Sequence, residues 1–154
     1  GGVAVYARSN LDVRKIDVDK FCIDKHLKVC AILWKTSTTE TIILNCYRAP
    51  SGDIEIFFNN IFGVLNFVFV PHINIVLTGD FNLDSSKQSR SMNECLVDLL
   101  SGFNLMPVVR WPTRVTQGTS TIIDHIFTNL TENSVITVID NDISDHRTVL
   151  FQVN

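Results

Sequence analysis

The sequence is poor in the features that would assign it at a glance. Its four cysteines, Cys22, Cys30, Cys46 and Cys95, include no CxxC pair, and its four histidines form no cluster at zinc-finger spacing. A disulfide framework or structural zinc is therefore not the organising principle, and the cysteines read as reduced, core or half-buried thiols. An excess of positive charge is also lacking: 13 Lys and Arg stand against 16 Asp and Glu, a formal net charge of −3. Nothing marks a purely electrostatic nucleic-acid binder, while a site that neutralises its carboxylates with a divalent cation stays open. No apolar run spans a membrane, because the best candidate is short and is interrupted by Asn59, Asn60 and Asn66. The opening GGVAVYAR has neither the charged start nor the long apolar stretch of a secretory signal. With no initiating Met, the chain is expected to begin inside a longer, intracellular polypeptide, nuclear or cytoplasmic. The Asn129-Leu130-Thr131 sequon is then a chance match.

What is present reads as one globular domain over residues 1–154: 45% of residues are hydrophobic and 19% charged, with no internal repeat and no linker. Runs rich in Val, Ile and Tyr predict strands over residues 2–8, 27–35 and 41–47, the last two separated by KTSTTET, a hairpin-turn composition. Ile54, Phe58, Ile61, Leu65 and Phe69 then recur at steps of three and four, which predicts an amphipathic helix started near Ser51 or Asp53 and stopped before Pro71. Residues 73–78 are continuously apolar, as in a strand buried on both faces. A polar loop over 84–90 leads to a second helix over 92–102, and β-like runs follow at 106–111, 120–129, 134–139 and 147–153. Strands with two interspersed helices suggest a layered α/β or α+β domain.

Four clusters carry polar groups at the ends or middles of these strands. In LTGDFNLD, Asp80 and Asn82 sit two apart, so on an extended backbone they share one face just beyond a buried strand. Taken alone they read more simply as an Asx turn. In DISDHRT, Asp145 and His146 precede the closing strand, where such a pair can hold a metal or a water beside a proton-transfer group. In STIIDHIFTN, Asp124 interrupts an apolar strand, which is costly unless the carboxylate has a partner such as His146. In NCYRAPSG, Tyr47 ends a strand where its hydroxyl could meet a phosphate, and Arg48 is a candidate phosphate contact against the alternative of a solvated arginine.

Together, GGVAVYAR, YRAPSG, LTGDFN, WPTR, STIIDHIFTN and ISDH make the sequence resemble the endonuclease/exonuclease/phosphatase superfamily. Within it, the sequence is most similar to the endonuclease domain of LINE-type (non-LTR) retrotransposons. The resemblance implies a four-layer α/β/β/α sandwich with the active site at one end of two packed sheets. It implies Mg²⁺-dependent (or Mn²⁺-dependent) phosphodiester hydrolysis on DNA, in a polypeptide that can also carry a reverse transcriptase. By the same resemblance, Asp80 aligns or deprotonates the attacking water, Asn82 and Tyr47 contact the phosphate, and Asp124 orients a His146 that hydrogen-bonds it or moves a proton. Asp145 then lies at the metal and Arg114 on the DNA-binding edge, with Trp111 a packing residue. The family's first-strand Asn and metal-binding Glu have no counterpart upstream of GGVAVYAR, so the sandwich is expected to be incomplete here, with weak metal binding and weak or absent cleavage. Two alternatives accompany this expectation: a non-catalytic nucleic-acid or protein-binding form of the same fold, and a lipid or inositol phosphodiesterase.

Overall fold

A charged edge strand is where the chain enters its main sheet. The computed structural model describes residues 2–86, 92–132 and 134–153. The strand expected over 2–8 does not form there; the segment is largely exposed and meets the sheet where the Ala4 carbonyl accepts from Asn45 Nδ2 at 3.0 Å. The edge is taken instead by β1 (Asp12–Ile16), antiparallel to β2 (Leu27–Lys35), with Asp12 opposite Lys35. Its sequence, DVRKI, has the charge that keeps an exposed edge from pairing with other chains. β2 turns through the threonine-rich loop into β3 (Glu40–Arg48), antiparallel and in register from Leu27–Arg48 to Lys35–Glu40.

Asp53 then starts the first helix. Its Oδ1 accepts from the N–H groups of Glu55 (2.9 Å) and Ile56 (3.0 Å), satisfying two of the donors that a helix leaves unpaired, and its own N–H donates to His26 Nδ1 at 2.9 Å. The helix, α1 (Ile54–Val68), buries Phe57, Ile61, Val64, Leu65 and Val68 along one stripe and ends three residues before the exposed Pro71. Replacing Asp53 by alanine is expected to cost about 1 kcal/mol. Urea denaturation reads this directly, and an unchanged midpoint would mean that the cap contributes nothing.

As the crossover, α1 lets β4 (Asn74–Asp80) run parallel to β3. Residues 87–91, which take in the second half of the expected polar loop, lie outside the described residues. Next come α2 (Met92–Ser101), β5 (Met106–Pro107), the small hairpin β6 (Arg114–Val115) and β7 (Ser120–Thr121), and then β8 (Asp124–Thr128). The apolar run at 106–111 yields only a two-residue strand, since Pro107 cannot donate to a ladder. A second sheet is formed by β9 (Ser134–Ile139) and β10 (Thr148–Val153), antiparallel.

The main sheet has the order β1-β2-β3-β4-β8-β5. Both helices cover one of its faces, where Leu27, Val29, Ala31, Ile42, Leu44, Ile75, Leu77 and Phe127 meet α1 together with Leu96 and Leu100 of α2. Across the other face, Val76 and Ile126 pack with Ile136, Val149 and Phe151 of the β9–β10 sheet. Helices, six-stranded sheet and two-stranded sheet make three layers of an α/β sandwich. No described helix covers the outer face of β9–β10, and none is long and apolar enough to cross a membrane.

Candidate active site

Strand pairing assembles the site. In the parallel β3–β4 pair Tyr47 lies opposite Asp80, and in the antiparallel β4–β8 pair Asp80 lies opposite Asp124. The three residues therefore stand in one row across three adjacent strands. Alternation puts them on the face toward β9–β10, because their neighbours Cys46 and His125 are buried on the helix side. From the segment just before β10, His146 places Nδ1 2.9 Å from Asp124 Oδ2 and 3.2 Å from Oδ1. Asp80, Asp124 and His146 each offer a ligand atom, and these atoms all lie within 4.8 Å of one another.

Gly79 makes the row possible. Its φ is +140°, and a Cβ there would lie 1.8 Å from the Cys46 carbonyl oxygen. The exit from β4 is tied to the entry of β8: Phe81 N–H donates to Ile123 O (2.9 Å), Ile122 N–H to Asp84 Oδ1 (3.1 Å), and His125 Nε2 lies 2.8 Å from Leu83 O. These bonds fix the distance between the two carboxylates.

Asp80 and Asn82 do not share an extended face. Asn82 adopts φ +48°, its N–H donates to Asp80 Oδ1 at 3.0 Å, and its Nδ2 donates to Arg48 O at 2.8 Å. The Asx turn is real, and it holds the Asn82 amide beside Asp80. Arg48 faces away from the opening. It is 6% exposed, its Nη2 donates to Gly52 O at 2.7 Å and its Nη1 approaches the Phe81 and Asn82 carbonyls at 3.4 Å. As a phosphate contact it is therefore corrected to a buried fastener of the loop that carries Asn82. Parity shows why: Ile42, Leu44 and Cys46 point to the helices, and Arg48 follows them.

Asp145 lies apart from the Asp80–Asp124–His146 group, with Oδ2 2.6 Å from Arg114 Nε. Backbone pairing supports this contact, since Arg114 bridges His146 and Val115 N–H donates to Asp145 O at 2.9 Å. Trp111 is half exposed at the surface, not a packed residue.

Electrostatics separates the carboxylates. Burial raises the pKa of Asp80, and the nearby Asp124 carboxylate adds to the rise, against the lowering pull of the Asn82 N–H and His146. The Arg114 guanidinium holds Asp145 below the usual carboxylate range. Burial also lowers the pKa of His125, which is therefore neutral among Phe81 and Phe127. Two carboxylates that face one opening, one of them half-buried and raised, form an oxygen donor set that suits a hard divalent cation keeping several waters. His146 Nδ1 is engaged with Asp124, which sets the orientation of the ring.

A family model described as endonuclease-reverse transcriptase matches residues 41–150, well over half of the chain. No curated protein matches. Among solved structures, the endonuclease domain of TRAS1, a telomere-specific non-LTR retrotransposon, superposes with a TM-score of 0.76 at 18% identity, covering 95% of this chain and 70% of that one. An endonuclease/exonuclease/phosphatase family protein from Leptotrichia buccalis follows with a TM-score of 0.61 at 19% identity, over 82% and 53% of the two chains. Beta toxin from Staphylococcus aureus, in a mutant form with bound magnesium ions, gives 0.60 at 13% identity, over 85% and 58%. The chain thus spans little more than half the length of the last two.

Proposed function

This chain belongs to the endonuclease-reverse transcriptase family and carries the endonuclease/exonuclease/phosphatase fold, and from that premise we propose that it is a single nuclease-type domain, residues 1–154, for metal-dependent hydrolysis of DNA phosphodiesters. The observation that carries the reading is the strand row Tyr47–Asp80–Asp124 with His146 against Asp124, because it sets two carboxylates, an imidazole and a tyrosine in one row, groups that could serve as acid, base and phosphate donor.

Asp80, half-buried at the end of β4 beside the Asn82 N–H, is the carboxylate suited to align or take the proton of an attacking water. As water adds to phosphorus, the bond to the leaving oxygen breaks and that oxygen takes up a proton. His146 is the group to hydrogen-bond the phosphate or deliver that proton, with Asp124 fixing the ring through Nδ1 and leaving Nε2 for the substrate. Tyr47 and the Asn82 amide would donate to phosphate oxygens, where negative charge grows in the transition state. Asp80 and Asp124 would hold Mg²⁺ or Mn²⁺, whose positive charge offsets that developing charge. Asp145 would serve the site from its edge, holding Arg114 against a backbone phosphate.

The experiment is nicking of supercoiled plasmid in Mg²⁺, by the chain and by any longer natural polypeptide that carries it. Nicking is expected of the longer polypeptide and should be weak or absent in the chain alone; in whichever form nicks, His146→Ala should slow it at least about a hundredfold. If folded protein binds DNA without nicking in either form, the non-catalytic alternative replaces this reading.

A further inference from the structure

Beside the catalytic row lies an open depression of about 300 Å³, lined by Asn45, Thr78, Asp80, Asp124, Arg147 and Val149 among others. Two of these residues are carboxylates, and an anionic backbone phosphate entering it meets repulsion unless a cation answers. Arg48 is buried against carbonyls and Arg114 is engaged by Asp145, so neither lines this space. Arg147 does. Val149 and Phe151 of β10 turn inward, and Arg147, the residue directly before the strand, lines the same depression as Asp80 and Asp124.

The Arg147 guanidinium is also held in place. Its Nε lies 2.5 Å from Asp140 Oδ1, its Nη1 approaches Pro112 O at 3.4 Å, and its backbone N–H donates to Thr113 O at 2.6 Å. The side chain is only 29% exposed. Asp140, by contrast, is largely in solvent, where salt screens its charge. The Nη2 edge has no protein partner among the described residues. With Nε in an ion pair with the exposed Asp140 and Nη1 near Pro112 O, Nη2 is left to donate to a phosphate oxygen.

We propose that Arg147 binds a backbone phosphate of the nucleic-acid substrate in this depression, on the Asp124 side of the site. This rests on the phosphodiesterase reading above and extends it: the site requires a neighbouring backbone phosphate as well as the one that is cleaved. Thr78, also on the depression wall, is available to donate a second hydrogen bond to the same group. Arg147 was not singled out from sequence, and the usable signal was parity, because it stands two residues before the inward Val149, directly ahead of the strand that SDH introduces.

The test is binding of a short DNA duplex by the full chain in EDTA, followed by fluorescence anisotropy across a KCl series. The variants are Arg147→Met, which keeps the apolar stem, and Arg147→Lys, which keeps the charge. Loss of one phosphate contact should lower the slope of log affinity against log salt by about 0.9 and weaken binding roughly tenfold at low salt. Arg147→Lys should keep the slope. In Mg²⁺, KM for nicking should rise about tenfold in Arg147→Met while kcat stays within about threefold. An unchanged slope in a folded Arg147→Met protein overturns the proposal, since a merely structural arginine would not alter counterion release. Wild-type protein that binds but never nicks, with the slope change intact, sinks the catalytic reading and leaves the contact standing. Failure of wild-type protein to bind DNA sinks both.

Discussion

Asp80→Asn is expected to eliminate nicking and, at the same time, to make the protein harder to unfold. The catalytic loss follows from removing the group placed to take up the proton of water, and should be on the order of a hundred- to ten-thousandfold. The gain in stability follows from the direction of its pKa shift. A carboxyl whose folded pKa lies above its unfolded value is bound to its proton more firmly in the native state. Its favourable contribution is therefore complete below the ordinary carboxylate range and disappears as pH rises through the folded value. At neutral pH the ionised group burdens the fold, through burial and through repulsion from Asp124. Asparagine removes that burden and can still accept the Asn82 N–H at Oδ1. In EDTA, with no metal to offset the charge, a gain of about 0.5–2 kcal/mol in urea denaturation at pH 7 is expected, shrinking as pH falls toward the carboxylate range. Equal stability of the two proteins at both pH values would contradict the electrostatic account. A nicking rate close to wild type would contradict the assignment of Asp80 as the base.

Gly79→Ala is expected to be the most damaging single methyl in the described chain. A Cβ at that position would lie 1.8 Å from the Cys46 carbonyl oxygen and under 3 Å from two further Cys46 backbone atoms. No rotamer escapes the clash, because a methyl has none and the obstacle is main chain. The φ of +140° adds strain for any L side chain. β4 must move away from β3, which breaks a parallel ladder in the middle of the main sheet. Destabilisation on the order of 4 kcal/mol or more is expected, at the high end for point substitutions. Any protein that still folds should have Asp80 displaced from Asp124 and little nicking. A loss under about 1 kcal/mol would mean that the close approach of β3 and β4 is not required.

Much of this architecture was legible in the sequence where one physical signal dominated. The Asp53 cap, the three- and four-residue apolar spacing and Pro71 delimited α1 almost to the residue. The continuous apolar run before Thr78 identified β4 as a strand covered on both faces. β1 was missed because an edge strand buries little, so its charged sequence lacks the alternation by which strands are recognised. The run at residues 2–8 has that alternation but gains no ladder partner among the described residues. In the site, residue identity was readable and register was not. Nothing in the spacing of Tyr47, Asp80 and Asp124 announces that they stand opposite one another, since register depends on strands far apart in sequence. Arg48 illustrates the opposite failure: a local rule, alternation from Cys46, was available and points it inward.

The placement of the site across separate strands also has a consequence during synthesis. Asp80 emerges from the ribosome well before Asp124, and Asp124 before His146. Helix α1 and the β2–β3 hairpin can form early from local contacts, yet the carboxylate pair exists only once β8 has added to β4. Until then β4 presents an unpaired edge, a hazard that lasts as long as translation of the intervening segment. Nascent chains that stop short of residue 124 would carry β1 to β4 of the main sheet without the strand that brings Asp124 opposite Asp80.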